Sequence, residues 1–191
     1  MVTGSSLENF AEPTPALDVT QIHEDYADFV WASLQRLGVH RQDLEDQLQE
    51  VFVVVHRKLS TFDHSARLST WLFGICLRVA AADRRRAHRR REVLTLEPAQ
   101  RSNLGGSEAD PERALLHREA ALRLEHALST LALERRAVFV MFEIEGIPAA
   151  AIGEMLGIPV GTVHSRLFTA RTEFDQAVRR LERHDHRRGV P

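Results

Sequence analysis

The chain has 191 residues, 43% of them hydrophobic and only 6% aromatic, and 25 Lys and Arg against 27 Asp and Glu leave a formal net charge of −2. That length fits one domain or two small ones, and the low aromatic content with ten glycines favours helix over sheet. A single cysteine, Cys76, excludes an internal disulfide and any multi-cysteine zinc site, and no apolar run approaches the roughly 18 residues of a membrane span.

The first residues carry Glu8 and Glu12 and no early Lys or Arg, unlike a signal peptide. The expectation is a soluble, cytoplasmic protein without membrane insertion. None of the ten histidines forms an HxxxH or HExxH pair. His184 and His186 sit in a charged tail, so no metal site and no cofactor is expected.

Residues 1–20, with Gly4, Ser5, Ser6, Pro13 and Pro15, show no periodicity and read as a flexible leader. A first helix follows over His23–Leu37, with Tyr26, Val30, Leu34 and Leu37 on one side and Gly38 ending it. Asp43 is placed to cap the next helix, in which Leu44, Leu48, Val51, Phe52, Val55 and Leu59 recur at helical spacing. Its other side carries Glu45, Asp46, Gln49 and Glu50, acids that also complement the helix dipole. After a loop over Ser60–Arg67, Leu68, Leu72, Ile75 and Val79 define a third helix.

That helix runs straight into Asp83–Arg91, which holds six arginines against one aspartate. A net charge of −2 thus hides a local footprint for phosphate, although an isolated basic run is as readily a solvated one. Continuity with a buried apolar half favours a rigid, aimed surface. Residues 92–113, containing Pro98, Gly105, Gly106 and Pro111, read as a linker. Beyond it come a helix over Ala114–Leu131, with Leu115, Leu122, Glu125 and Leu128 roughly in register, and another over Glu134–Glu145, stopped by Gly146.

From Ala149 to Arg171 the chain lays out a short amphipathic helix, a glycine turn and a second amphipathic helix. Ile152 and Leu156 share a face, Gly157 suits a left-handed cap, and Pro159 suits the first turn of the next helix. There Val163, Leu167, Ala170 and Phe174 form a core stripe that leaves Thr162, Ser165, Arg166 and Thr169 outward. Hydroxyls beside an arginine suit phosphates and base edges, as in a DNA-binding helix-turn-helix. An ordinary αα-hairpin with a solvated face gives the same pattern. The fold class expected is all-α: two small helical bundles over 21–91 and 114–183 joined by a flexible linker, with a tail over 184–191.

Both bundles resemble the bacterial RNA polymerase sigma factors of the extracytoplasmic-function (ECF) type, over roughly Tyr26–Leu181. Asp43, Glu45, Asp46, Gln49, Glu50, Val51 and Phe52 match the family's D-x-E-D-x-x-Q-E-V-F core-polymerase-binding helix. Leu68, Thr70, Trp71 and Leu72 stand for its L-x-T-W-L minus-10 and melting motif, and Leu156–Arg171 is similar to its minus-35 reader. The resemblance implies core RNA polymerase and promoter DNA as partners, and an anti-sigma factor as a further candidate, since the family commonly has one that masks both domains.

It also assigns site residues. Core polymerase would be met by Asp43, Glu45, Asp46, Gln49, Glu50 and Phe52, through acids of the right charge for a basic coiled coil. The minus-10 set is Asp63, His64, Ser65, Arg67, Thr70, Trp71, Arg78, Arg84, Arg85 and Arg86; for Trp71, core packing is the alternative to stacking on DNA. The minus-35 set is Arg135, Thr162, His164, Ser165, Arg166 and Arg171. Departures from the pattern include His64–Arg67 in place of the usual G-R-S-S, Ala132 and Leu133 in place of a proline pair, Ala149–Ala151 in place of an acidic run, and His164 where lysine is usual.

No nucleophile beside a base and no phosphate cradle is present, so an enzyme is not expected. A free-standing operator-binding regulator that dimerises through the first bundle, and a helical adaptor, fit the residues alone.

Overall fold

Asp18 accepts a hydrogen bond from the Thr20 amide at 3.3 Å and so caps a helix that begins a turn before the expected His23. The structure, a computed structural model, describes the backbone of residues 18–93 and 111–187 and side-chain burial for 18–87 and 118–183. The expected leader and most of the expected linker lie outside the described residues. The first helix, α1, is Val19–Leu37, and it ends at Gly38 in the left-handed conformation (φ 90°).

Asp43 does not cap the second helix. It closes a 3-10 turn over Arg41–Asp43, its amide bonded to the His40 carbonyl at 2.8 Å, and its carboxylate accepts no capping bond. Helix α2 follows as Leu44–Lys58 and α3 as Leu68–Val93, 26 residues that carry the apolar stripe on into the arginines without a break. Val30, Leu34, Val51, Val55, Leu72, Phe73 and Cys76 are fully buried where α1, α2 and α3 meet. Burial pushes the Cys76 thiol up to about 12, which fits a small hydrophobe rather than a nucleophile.

The second bundle comprises α4 (Pro111–Ser129), α5 (Leu133–Phe139), α6 (Ala149–Leu156) and α7 (Val160–Arg187). Pro111 opens α4 within the stretch expected as linker, and α7 runs on into the expected tail. Leu122, expected in register with the core, is 46% exposed, while Leu128 is buried.

The helix expected over Glu134–Glu145 is α only to Phe139 and continues as one wide π turn over Val140–Ile144. The Glu145 amide reaches the Val140 carbonyl at 3.0 Å and Ile147, which is buried, reaches Met141 at 2.8 Å. Apolar periodicity cannot distinguish a single widened turn from α-helix. Among the described residues there is no strand, and no helix is long and apolar enough to cross a membrane.

Candidate nucleic-acid interface

The helix-turn-helix is built by close approach. The Gly157 amide caps α6 onto Glu154 and Gly153 carbonyls, and Pro159, just outside α7, accepts from the Thr162 and Val163 amides at 2.8 and 3.2 Å. A β-carbon at Gly153 would lie 2.9 Å from the Ile158 carbonyl oxygen, so only glycine lets the turn fold back on α6. Val163, Leu167 and Ala170 are buried, and Phe174 stacks on Phe139 with ring centroids 4.7 Å apart.

The opposite side of α7 presents His164, Ser165, Phe168 and Thr169 to solvent, with Thr162 and Arg166 half-buried at its edges. The hydroxyls of Ser165, Thr169 and Thr172 donate to carbonyls of their own helix, at 3.0 to 3.1 Å, and keep their lone pairs outward. Phe168 is 74% exposed in the middle of this face. It is not among the residues that the sequence pattern singles out. The signal lay in its angle: Phe168 is one residue off the stripe of Val163, Leu167, Ala170 and Phe174.

Two arginines expected on the minus-35 side are tied within the bundle. Arg135 donates to Glu173 at 2.9 Å, and Arg171 pairs with Glu143 at 2.6 Å while lying 5.6 Å from the Phe142 ring centroid. These pairs need the folded geometry, since Glu143 rides on the π turn.

In the first bundle, Glu45, Asp46, Gln49 and Glu50 are exposed along α2, and Asp43 is half-buried at its start. Phe52 does not share that face: it is 8% exposed and its ring lies 4.5 Å from that of His23. In this position it packs beneath the acidic surface.

The loop before α3 is ordered by its own polar groups. Asp63 accepts from the Ser65 amide at 3.0 Å and hydroxyl at 2.7 Å, and these two bonds hold its carboxyl below the ordinary value. His64 adopts φ 59°, and its ring lies 4.6 Å from Phe62, which in turn lies 5.3 Å from Trp71. Trp71 is therefore half-buried in a small aromatic cluster, with one part packed and another open.

Thr70 is half-buried, and Ser65, Arg67, Arg78, Arg84 and Arg85 are exposed. Arg86 is exposed as well, and it reaches the Gln47 side chain of α2 at 3.1 Å. Gln47 is 8% exposed, so this bond satisfies a buried amide and ties the basic helix to the acidic one. Among the described residues, no group of three His, Cys, Asp or Glu could hold a metal.

Comparison with known proteins places each bundle. Residues 22–91 match the family described as Sigma-70 region 2, and residues 121–174 match Sigma-70, region 4. The chain is 28% identical over 157 residues to the ECF RNA polymerase sigma-E factor of Escherichia coli K12, covering 80% of this chain and 82% of that one. It is 29% identical over 147 residues to the RNA polymerase sigma-H factor of Pseudomonas aeruginosa, covering 74% and 76%. The fold is similar to that of the sigma factor RpoE solved with the anti-sigma factor NepR from Bartonella quintana, with a TM-score of 0.65, 18% identity and 84% and 96% coverage.

Proposed function

The chain belongs to the ECF group of sigma-70 factors, which bind core RNA polymerase and direct promoter-specific transcription initiation, and from that premise we propose how its residues divide the work. Helix α2 docks on core polymerase through Asp43, Glu45, Asp46, Gln49 and Glu50, by charge complementarity with a basic surface. The loop at Asp63–Arg67 and helix α3, through Thr70, Trp71, Arg78, Arg84 and Arg85, receive the minus-10 element as its strands part. Unpairing and unstacking are offset when the exposed strand lies on positive charge and a base stacks on an aromatic ring. Helix α7 reads the minus-35 element through Thr162, His164, Ser165 and Arg166, with Phe168 placed for a thymine methyl. Arg135 and Arg171 reach phosphate only by exchanging their glutamates for it.

The observation that carries this division is the simultaneous exposure of the α2 acids and of Arg78, Arg84 and Arg85 on the neighbouring helix. Two short promoter contacts held on one polymerase raise each other's effective concentration, so the chain acts by binding, without covalent chemistry of its own. It works in the cytoplasm, where core polymerase is, and an anti-sigma factor is a further partner, as for the Bartonella quintana protein.

Run-off transcription with purified core polymerase on a promoter library tests the whole reading. Transcripts should require the chain and reveal two short conserved elements at fixed spacing. Binding of a palindromic duplex without polymerase, and no transcripts, would favour a free-standing regulator instead.

A further inference from the structure

Two ion pairs flank the reading face of α7, one along each border. Val163, Leu167, Ala170 and Phe174 turn one side of the helix inward, and at about 100° per residue His164 and Arg171 fall on one border of the opposite side, Arg166 and Glu173 on the other. Between these borders Gly161, Ser165, Phe168, Thr169 and Thr172 are exposed and uncharged. A helix seated in the major groove turns its two borders toward the two sugar–phosphate strands, so each pair lies where one strand passes.

On the first border, Nε and Nη2 of Arg171 both reach Oε1 of Glu143 at 2.6 Å, and the guanidinium lies 5.6 Å from the Phe142 ring centroid. On the second, Nε of Arg135 donates to Oε2 of Glu173 at 2.9 Å. Neither is a pair within one helix. Glu143 belongs to the π turn and Arg135 to α5, so each bond joins α7 to another element. The four side chains are between 32% and 52% exposed, open to both water and phosphate. An ion pair this open holds weakly, and a phosphate brought close enough replaces the carboxylate.

We propose that Glu143 and Glu173 are specificity-determining residues of the minus-35 site, withholding Arg171 and Arg135 from the phosphates of unrelated duplex. Loose binding to DNA draws almost wholly on phosphate contacts. With both arginines occupied, a duplex of the wrong sequence meets only a half-buried Arg166 and His164 along the borders. A matched duplex seats first against Ser165 and Phe168, and that depth brings its phosphates within reach for the exchange. The carboxylates therefore act against wrong sequences more than against the right one. Arg171, held by a carboxylate and a ring, is withheld the more firmly, so loss of Glu173 frees its arginine more completely than loss of Glu143. This inference rests on the minus-35 reading proposed for α7.

Anisotropy titration of the full chain on a minus-35 duplex and on a scrambled duplex, across a salt series, tests it. Glu173→Gln, which keeps the side chain's shape, should tighten the scrambled duplex about fivefold and steepen its log–log salt slope by about one unit, as one added phosphate contact does. The minus-35 duplex should tighten less, so the ratio of the two affinities falls. Glu143→Gln should act the same way to a smaller extent. Arg135→Gln added to Glu173→Gln should return the scrambled duplex to its wild-type affinity. A purely structural role for the pairs lowers the melting temperature and leaves that ratio unmoved. An unchanged ratio in Glu173→Gln, or a gain that survives loss of Arg135, overturns the proposal. Phe168→Ala separates the two levels. If it weakens the minus-35 duplex while Glu173→Gln leaves the ratio unchanged, the reading stands and the withholding falls; if neither variant changes binding, α7 does not read DNA.

Discussion

The acids of α2 and three arginines of α3 stand in solvent, whereas two arginines flanking the reading face of the second bundle are held by glutamates of that bundle. Glu45, Asp46 and Glu50 are exposed on α2, and Arg78, Arg84 and Arg85 on α3, while Arg135 and Arg171 pair with Glu173 and Glu143. The reading face of α7 is left with hydroxyls, one histidine, a half-buried arginine and a protruding phenylalanine. The first region is therefore built for long-range charge complementarity, the second for short-range contact with base edges. Binding through the first should be the more sensitive to salt.

Breaking that comparison begins with the acids. Asp46→Arg with Glu50→Arg should lower affinity for core polymerase at least about a hundredfold, since like charges across an interface cost several kcal/mol. Quantitative pull-down on core reads it, with helicity unchanged because both sites are exposed. Undiminished binding would remove α2 as the docking element.

Phe168→Ala should weaken binding of a minus-35 duplex about tenfold, the scale of one base-edge contact, and leave thermal stability unchanged for a side chain 74% exposed. A fall in melting temperature instead would make Phe168 a packing residue. Arg86→Ala should cost about 1 kcal/mol, or about 2–4 °C in melting temperature, by orphaning the buried Gln47 amide. Adding Gln47→Leu should recover it, and equal melting temperatures for Arg86→Ala and wild type would show that the Gln47 bond adds nothing to stability.

His164→Lys sharpens the contrast from the other side. One added cation on a face poor in free charge should steepen the salt dependence of promoter binding by about one unit of log–log slope, measured by anisotropy titration. An unchanged slope would place His164 away from phosphate. The smallest effect is local: Ser65→Ala should return the Asp63 carboxyl toward its ordinary 3.8, followed by NMR titration. A depressed carboxyl stabilises the loop at pH above 3.8 and loses that contribution as pH falls through its folded value. In the variant this acid-side loss should shrink.

Much of the architecture was legible because helices announce their buried faces. Val163, Leu167 and Ala170, or Leu72, Ile75 and Val79, are buried as their spacing requires, and Gly38, Gly146 and Gly157 all take positive φ where helices stop. Other features were not legible because they depend on partners distant in sequence. Asp43 has the residue type of a cap, yet a 3-10 turn displaces it, and the burial of Phe52 beside His23 is set by a helix distant in sequence. Nothing local shows that the exposed Arg86 also bonds Gln47. A widened turn of five residues leaves no trace in periodicity.

By itself the sequence determined the helices, the two-bundle order, the acidic and basic surfaces and the family, because periodicity, capping and motif spacing are local properties of a chain. Only the tertiary structure decided which charges are free and how the bundles meet. Pairings such as Arg36 with Glu145, Arg171 with Glu143 and Arg136 over Gly38 join residues far apart in sequence. An arginine's charge is written in the chain; whether it faces phosphate, a glutamate or the end of another helix is fixed only when the helices pack.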